Sequence, residues 1–123
     1  MPLSAKTTKA AAQILVHETL GRLADKWTLL VIDALSSGGE MRFTHLLKKV
    51  EGISQKMLTK TLRELESDGL VSRHVHPVVP PRVEYKLTPL GESLDEAVCT
   101  VWKWVAAHAA EIERSRRAHA RGR

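Results

Sequence analysis

The stretch GISQKMLTKTLRELESDGL, residues 52–70, contains the helix that decides the fold. Ser54 predicts its start, because a serine oxygen can accept from backbone N–H groups that have no partner in the first turn. Gly69 predicts its end, because glycine readily adopts the left-handed conformation that closes a helix. The apolar residues recur at the spacing of one buried helical face. They are Leu58, Leu62 and Leu65, with Met57 and Thr61 beside them.

The opposite side of this helix is basic and carries no acid until its last turns. Three cations and two uncharged hydrogen-bonding residues share it: Gln55, Lys56, Thr59, Lys60 and Arg63. A merely solvated helix would usually intersperse acids, which occur here only at Glu64, Glu66 and Asp68. The composition by itself fits contact with nucleic acid and, equally well, a solvated charged face.

Residue chemistry suggests a division of labour on this basic side. Gln55 can pair with adenine, and Lys56 or Arg63 can pair with guanine or phosphate. Thr59 can donate a hydrogen bond to a base or to a phosphate. We expect the region over residues 54–68 to lie in a DNA major groove.

The preceding segment, MRFTHLLKKV at residues 41–50, predicts another short helix. Glu51-Gly52 then forms a tight turn, so the two helices make a helix-turn-helix. In this motif the second helix contacts the bases of DNA, and we call it the reader. Arg42 and Ser54 stand at the two helix starts, where backbone N–H groups also favour phosphate. Two further helices are predicted upstream, over residues 14–23 and 26–35.

After Gly69 the apolar residues recur at every second position, which predicts the two strands of a β-hairpin. The apolar residues Val71 and Val75 belong to one strand, and Val83, Tyr85 and Leu87 belong to the other. HPVVPP between them suits an extended loop, because proline cannot donate to a strand ladder. We expect Arg82 and Lys86 on the outward face, joined by Arg73 or His74, to contact DNA. The alternative is a charged edge that prevents strand pairing.

A long last helix is predicted from Thr88-Pro89, a cap followed by proline at the first helical position, to about Glu113. Its apolar residues follow a narrow seam that suits a second helix. Such a helix spans roughly 37 Å, more than the small core can cover. We therefore expect a homodimer whose contacts are Leu94, Val98, Val101, Trp102, Val105 and Ile112.

Size and charge fit one small domain of 123 residues with a net charge of +5. Residues 42–86 hold nine cations and five acids, a net +4, whereas residues 87–113 hold one cation and five acids, a net −4. We divide the chain into an N-terminal tail over 1–13, a folded domain with its dimerisation helix over 14–113, and a basic tail over 114–123. No apolar run approaches the roughly 20 residues of a membrane span, so we expect no membrane partner. The single cysteine, Cys99, fits a reduced cytoplasm.

Three segments of the sequence resemble those of the HxlR-type winged helix-turn-helix regulators, relatives of the MarR group. They are DKWTLLVIDAL, MRFTHLLKKVEGISQKMLTKTLRELESDGLVSR, and PPRVEYKLTPLGESL followed by a late tryptophan. The resemblance implies a mainly helical fold with a small β-hairpin wing, dimerising through terminal helices. It also implies sequence-specific binding to a double-stranded DNA operator.

The chain departs from this family at a sensing position. Many similar regulators carry a redox-sensing cysteine some thirteen residues before the tryptophan of the KW pair, where this chain has Ile14. Cys99 lies instead on the last helix, where we expect a buried, inert thiol at the dimer seam. Thiol sensing by the family's usual route is therefore not expected here.

The sequence contains little evidence of motifs for catalysis, metal binding or cofactor binding. His17-Glu18 begins like a zinc-protease motif, but Gly21 stands where the second histidine ligand belongs. His74 and His76 share a strand face without a nearby third ligand in the sequence, so no metal site is expected. We expect no catalytic residues and no cofactor, and Trp27 and Trp102 are candidate walls of a cleft for a small apolar or aromatic effector.

These observations predict a homodimeric, sequence-specific DNA-binding transcriptional regulator. The alternative from another class is a winged-helix protein-interaction module that does not bind DNA, because one fold can host both functions.

Overall fold

The computed structural model describes residues 5–122, and most of that range is helical. The helices are α1 (Ala5–Leu23), α2 (Lys26–Gly38), α3 (Phe43–Lys49), α4 (Gln55–Ser67) and α5 (Pro89–Arg121). The strands are β1 (Met41–Arg42), β2 (Val71–His76) and β3 (Arg82–Leu87). The predicted mainly helical fold with a small β-hairpin wing is confirmed. Within the described residues, no helix is both long and apolar enough to cross a membrane.

Both predicted ends of α4 are confirmed. The Ser54 hydroxyl oxygen accepts a hydrogen bond from the Met57 backbone N–H at 3.0 Å. Gly69 has φ of 76°, which closes the helix, and the Leu70 N–H returns to the Leu65 carbonyl at 2.9 Å. The predicted apolar face is buried at Leu58, Leu62 and Leu65, and Thr61 is buried with them.

The hydrophobic core lies between α2, α3, α4 and the sheet. Asp25 starts α2 by accepting from the Trp27 backbone N–H at 2.9 Å. That helix then packs its apolar side against α4 and β3. The core residues with the least exposure are Val31, Ile32, Leu35, Leu46, Leu58 and Leu65.

The hairpin is confirmed and is part of a three-stranded antiparallel sheet of order β1-β3-β2. The sequence predicted a helix from residue 41, but Met41 and Arg42 pair with Tyr85 and Glu84 of β3 before α3 begins at Phe43. Two residues are too few to show an alternating pattern, so this strand depends on a partner more than 40 residues away in the chain.

Three helices are longer than predicted: α2 by three residues, to Gly38, and α1 and α5 by more. α1 begins at Ala5, so the segment assigned to the N-terminal tail over 1–13 is helical from residue 5 onward, and residues 1–4 lie outside the described range. α5 continues to Arg121 instead of ending near Glu113, so the basic segment is helical as far as Arg121. Extending an existing helix needs no new nucleation, and alanine, arginine and glutamate are good helix formers. The division into a domain over 14–113 and two tails remains a prediction.

The start of α5 is attached to the end of α4. The Thr88 hydroxyl accepts from the Gly91 N–H at 3.0 Å and donates to the Gly69 carbonyl at 2.6 Å. The Thr88 N–H donates to the Leu70 carbonyl at 3.0 Å. Gly91 is pressed against this turn, since a Cβ there would lie 2.1 Å from the Leu70 oxygen. The long helix and the helix-turn-helix are therefore joined through backbone contacts.

Candidate nucleic-acid interface

The exposed side of α4 gathers the residues predicted to read DNA. The helix buries its leucines, so the polar side chains face solvent, with Thr59 half-buried. One shallow depression is lined by Ser54, Gln55, Lys56, Thr59, Lys60 and Arg63, together with Met57 and Glu64. The structure therefore brings six predicted site residues onto one surface.

Thr59 has a more restricted chemistry than the sequence suggested. Its hydroxyl donates to the Gln55 carbonyl one turn earlier, at 2.9 Å. The proton expected to reach a base or a phosphate is thus already engaged within the helix. What remains is the methyl group, which can contact a thymine methyl, and the oxygen lone pairs, which can accept from adenine or cytosine amino groups.

Glu64 of α4 and Asp68, the residue that follows this helix, are held by a cation from another helix. Arg22 of α1 lies 2.6 Å from Glu64, between Nη1 and Oε2, and also forms an ion pair with Asp68. Glu64 has a second, longer contact with Lys60 at 3.9 Å. Arg22 thus offsets part of the negative charge at the end of α4 and links that end to α1. Sequence analysis missed this residue because 42 positions separate it from Glu64.

A groove of about 410 Å³ separates α4 from the sheet. Arg73 of β2 lines it, on the same sheet face as its cross-strand partner Tyr85. The structure therefore places Arg73 opposite α4 and on the other sheet face from Arg82. The residues of α4 that share this groove are Gln55, Thr59, Leu62, Arg63 and Glu66.

Arg42 and Arg82 lie together beside the loop at the wing tip. Arg42 is exposed and immediately precedes α3. Arg82 is less available than predicted, because its Nε lies 3.1 Å from a carboxylate oxygen of Glu84. Lys86 is exposed on the same strand but belongs to neither depression. The predicted wing cations therefore do not form one surface. Arg73 faces α4, Arg82 lies beside Arg42 at the wing tip, and Lys86 lies apart from both.

His76 has acidic neighbours that the sequence did not reveal. Its Nε2 lies 3.2 Å from Glu84 Oε1 and 3.8 Å from Glu40 Oε1. The expectation that this histidine lacks a nearby third ligand was therefore wrong. Glu40 comes from the segment before β1, so only the sheet pairing brings it close.

The predicted dimer contacts lie on an apolar side of α5 that stays open in the single chain. Val101 is 63% exposed and Trp102 is 69% exposed, while Leu94, Val98 and Ile112 are half-buried. Exposed apolar side chains also occur on α1, at Ile14, Leu15, Val16 and Leu20. Pairing through these faces remains a prediction.

The predicted combination of Trp27 and Trp102 in one cleft is wrong. A cavity of about 550 Å³ is lined by Trp102 and Leu29, and a second of about 260 Å³ shares both residues. Trp27 instead lies beside Gly52, whose added Cβ would be 3.7 Å from its ring. Residues two apart on a helix point in nearly opposite directions, so α2 cannot turn Trp27 and Leu29 to the same side.

Cys99 is exposed on α5 in the single chain. It borders the smaller cavity together with Asp95 and Lys103. Burial of this thiol by a second copy remains a prediction.

Comparison with known proteins supports the family and the fold that the sequence predicts. A profile described as HxlR-like helix-turn-helix matches residues 22–113. The HTH-type transcriptional regulator YtfH of Escherichia coli K12 is 41% identical over 102 residues, which cover 83% of this chain and 80% of that protein. A solved structure described as a transcriptional regulator, YtfH from Salmonella typhimurium, superposes with a TM-score of 0.71 at 39% identity, covering 82% of this chain and 89% of that one. The redox regulator HypR in its reduced form gives 0.72 at 36% identity, covering 80% and 97%.

Proposed function

The chain belongs to the HxlR-like helix-turn-helix family and is a DNA-binding transcriptional regulator, and we propose that it reads its operator with the exposed side of α4. The observation that carries this proposal is the single surface formed by Ser54, Gln55, Lys56, Thr59, Lys60 and Arg63. Glu64, the acid that borders this surface, is already paired with Arg22, whereas Glu66 lines the adjoining groove beside Arg63 and is outnumbered by the three cations. A phosphate backbone approaching this surface therefore meets a net positive charge.

The positions along α4 suggest which contacts specify sequence. Gln55 and Thr59 lie near the helix start, where a recognition helix usually meets base edges. Lys60 and Arg63 are longer cations further along, and they reach phosphate more readily. Contacts to phosphate supply affinity on any DNA, whereas contacts to bases discriminate between sequences.

The wing and the start of α3 would add further contacts beside α4. Arg73 extends the basic surface across the groove beside Arg63. Arg42, Arg82 and Lys86 would contact the flanking backbone, Arg82 only after leaving Glu84. This arrangement fits a wing that strengthens binding without selecting every base.

We propose that the functional unit is a homodimer in the cytoplasm, formed through the open apolar sides of α1 and α5. The 33 residues of α5 span roughly 50 Å, and much of that length has no packing partner within the chain. A second copy would cover Leu94, Val98, Val101, Trp102, Val105 and Ile112. Two-fold symmetry would present two copies of α4 to successive turns of one DNA face.

A small apolar or aromatic effector would fit the cavity beside Trp102. Its walls are apolar, formed by Leu23, Leu29, Val98, Val101, Trp102 and Val105. Because these residues adjoin the proposed dimer seam, an occupant could alter the spacing of the two recognition helices. The function itself is regulatory, and nothing in this cavity provides catalytic side chains.

The decisive experiment compares Gln55→Ala with Lys60→Ala. Both variants are titrated against a duplex selected by the wild-type chain from a random pool, and against an unselected duplex, across a salt series. Gln55→Ala should lose about 1–3 kcal/mol on the selected duplex and little on the other. Lys60→Ala should weaken both alike and reduce the salt slope by about one.

Lys103→Ala is the matched control, because it removes an exposed cation from α5, outside the proposed DNA surface. It should bind both duplexes like the wild-type chain. If neither α4 variant changes any affinity by about twofold, α4 is not the reader, and the alternative of a protein-interaction module gains support.

A further inference from the structure

The outer face of the wing carries a cluster of potential metal ligands. His76 Nε2 and one carboxylate oxygen each from Glu40 and Glu84 all lie within 4.8 Å of one another. They come from three places in the fold: the segment before β1, the end of β2, and β3. His76 Nε2 lies 3.2 Å from the Glu84 oxygen and 3.8 Å from the Glu40 oxygen.

The imidazole nitrogen in this cluster is buried but makes no hydrogen bond. His76 Nε2 faces the Glu84 oxygen at 3.2 Å without the alignment of an N–H···O bond. A buried nitrogen without a hydrogen bond is costly, so it calls for a specific explanation. Two atoms that bind one metal at about 2.0–2.2 Å lie at most about 4.4 Å apart, which accommodates both short separations. Glu40 is exposed and can turn by the small remaining distance.

We propose that His76, Glu84 and Glu40 form a binding site for a divalent transition metal of the Zn²⁺ type. One imidazole nitrogen with two carboxylate oxygens suits zinc and its neighbours in the first transition series. Calcium and magnesium prefer oxygen ligands alone, so they should compete poorly. Three protein ligands leave a coordination position for water.

Arg82 is the group that the metal would displace. Its Nε now lies 3.1 Å from the same Glu84 oxygen that faces His76, and it makes no hydrogen bond there. The Arg82 side chain is 41% exposed, so it can turn outward without unpacking the sheet. Metal binding would therefore exchange one cation partner of Glu84 for another and free a guanidinium at the wing tip.

This exchange predicts a link to DNA, which rests on the proposed function. The metal adds positive charge to the wing, and Arg82 becomes available to phosphate beside Arg42. Zinc should accordingly tighten DNA binding through the wing without changing which sequence α4 prefers.

The metal site is tested first without DNA. The tag-free chain is titrated with Zn²⁺ by calorimetry and with Co²⁺ by its visible absorption, with Mg²⁺ as a control ion. The wild-type chain should bind one Zn²⁺ and give the spectrum of a Co²⁺ site with nitrogen and oxygen ligands. Glu84→Gln and His76→Ala should each lose at least about tenfold in affinity, since even outer partners of a metal site contribute that much.

His17→Ala is the matched control, because it removes an imidazole from α1 and should bind Zn²⁺ like the wild-type chain. Circular dichroism checks that every variant is folded, and Glu84→Gln preserves side-chain size. Zinc should also raise the Tm of the wild-type chain but not of Glu84→Gln. Equal zinc affinity of the wild type and both cluster variants would overturn the proposed site.

The link to DNA has its own readout. Zinc should tighten binding of the wild-type chain to both selected and unselected duplexes, and Glu84→Gln should show no such response. If zinc binds at this cluster but leaves DNA affinity unchanged, the site stands and its role in the wing is refuted. If α4 proves not to contact DNA bases, the result of the zinc titration is unaffected, because that titration is carried out without DNA.

Discussion

Arg22 of α1 offsets negative charge at the end of α4. Arg22 contacts Glu64 and Asp68, two of the three acids at the end of the proposed DNA-binding helix α4, the third being Glu66. All three side chains are about one-third exposed, so solvent weakens the contribution of these pairs to stability. Their effect on DNA binding is more direct, because they determine how much negative charge the reader displays.

Arg22→Gln should therefore weaken DNA binding more than it weakens folding. An uncompensated carboxylate near phosphate costs on the order of 1 kcal/mol, which is roughly fivefold in affinity. The loss should be similar on selected and unselected duplexes and should shrink at high salt. Fluorescence titration and urea unfolding measure the two effects on one preparation. Arg22→Lys keeps the charge and is the control, and a loss restricted to the selected duplex would contradict this electrostatic role.

Gly91 is a second position where one residue constrains the fold. Gly91→Ala places a Cβ about as close to the Leu70 carbonyl as the 2.1 Å found by adding that atom, so the start of α5 must shift. We expect a loss of about 1–3 kcal/mol in the free energy of unfolding, as for other overpacked sites. Chemical denaturation provides the measurement.

Gly21 supplies the matched control within α1, since an added Cβ there meets nothing within 4 Å. Gly21→Ala should stabilise the chain by about 0.5–1 kcal/mol, because alanine is the better helix former. Equal effects of the two substitutions would show that the close approach at Gly91 relaxes easily.

At the scale of elements, α5 has two distinct parts. Its first turns are joined to α4 through Thr88, while its middle exposes Val101, Trp102, Trp104 and Val105. Such a run of exposed apolar side chains on one helix usually marks an interaction surface. A movement of α5 in the dimer would be transmitted to the end of α4 through the hydrogen bonds at Thr88.

Val101→Glu should weaken dimer formation, because a carboxylate buried in an apolar seam without a partner is costly. Sedimentation velocity over a range of concentrations should show dimers of the wild-type chain at micromolar concentration and mostly monomers of the variant. Ala107→Glu is the control, since this position lies on the same helix but off the seam. A well-folded wild-type monomer throughout that range would refute the proposed interface.

At the scale of the whole molecule, charge and symmetry together predict the form of the operator. A two-fold dimer presents two copies of α4, so the bound DNA should contain two half-sites with centres one helical turn, about 34–36 Å, or a multiple apart. Hydroxyl-radical footprinting should show protection on one DNA face with this period. Val101→Glu should lose the paired protection while retaining weak contact at high concentration. A single unpaired half-site at full affinity would contradict the dimeric mode.

The sequence by itself determined the helix-turn-helix and the wing. Local signals suffice there: Ser54 caps α4, Gly69 closes it, and the leucine spacing selects the buried side. The hairpin followed in the same way from its alternating residues and its proline-rich loop. Because these signals act over a few residues, the basic side of α4 could also be identified before any tertiary contact was known.

Tertiary structure alone decided the features that join distant residues. The short strand β1, the pairing of Arg22 with Glu64, and the approach of Glu40 to His76 each bring together side chains more than 30 positions apart. No local pattern encodes such contacts, because they follow from how the elements pack. The separation of Trp27 from Trp102 has the same origin, since α2 turns the two sides of its helix toward different neighbours. Packing thus decided which of the exposed residues could act together.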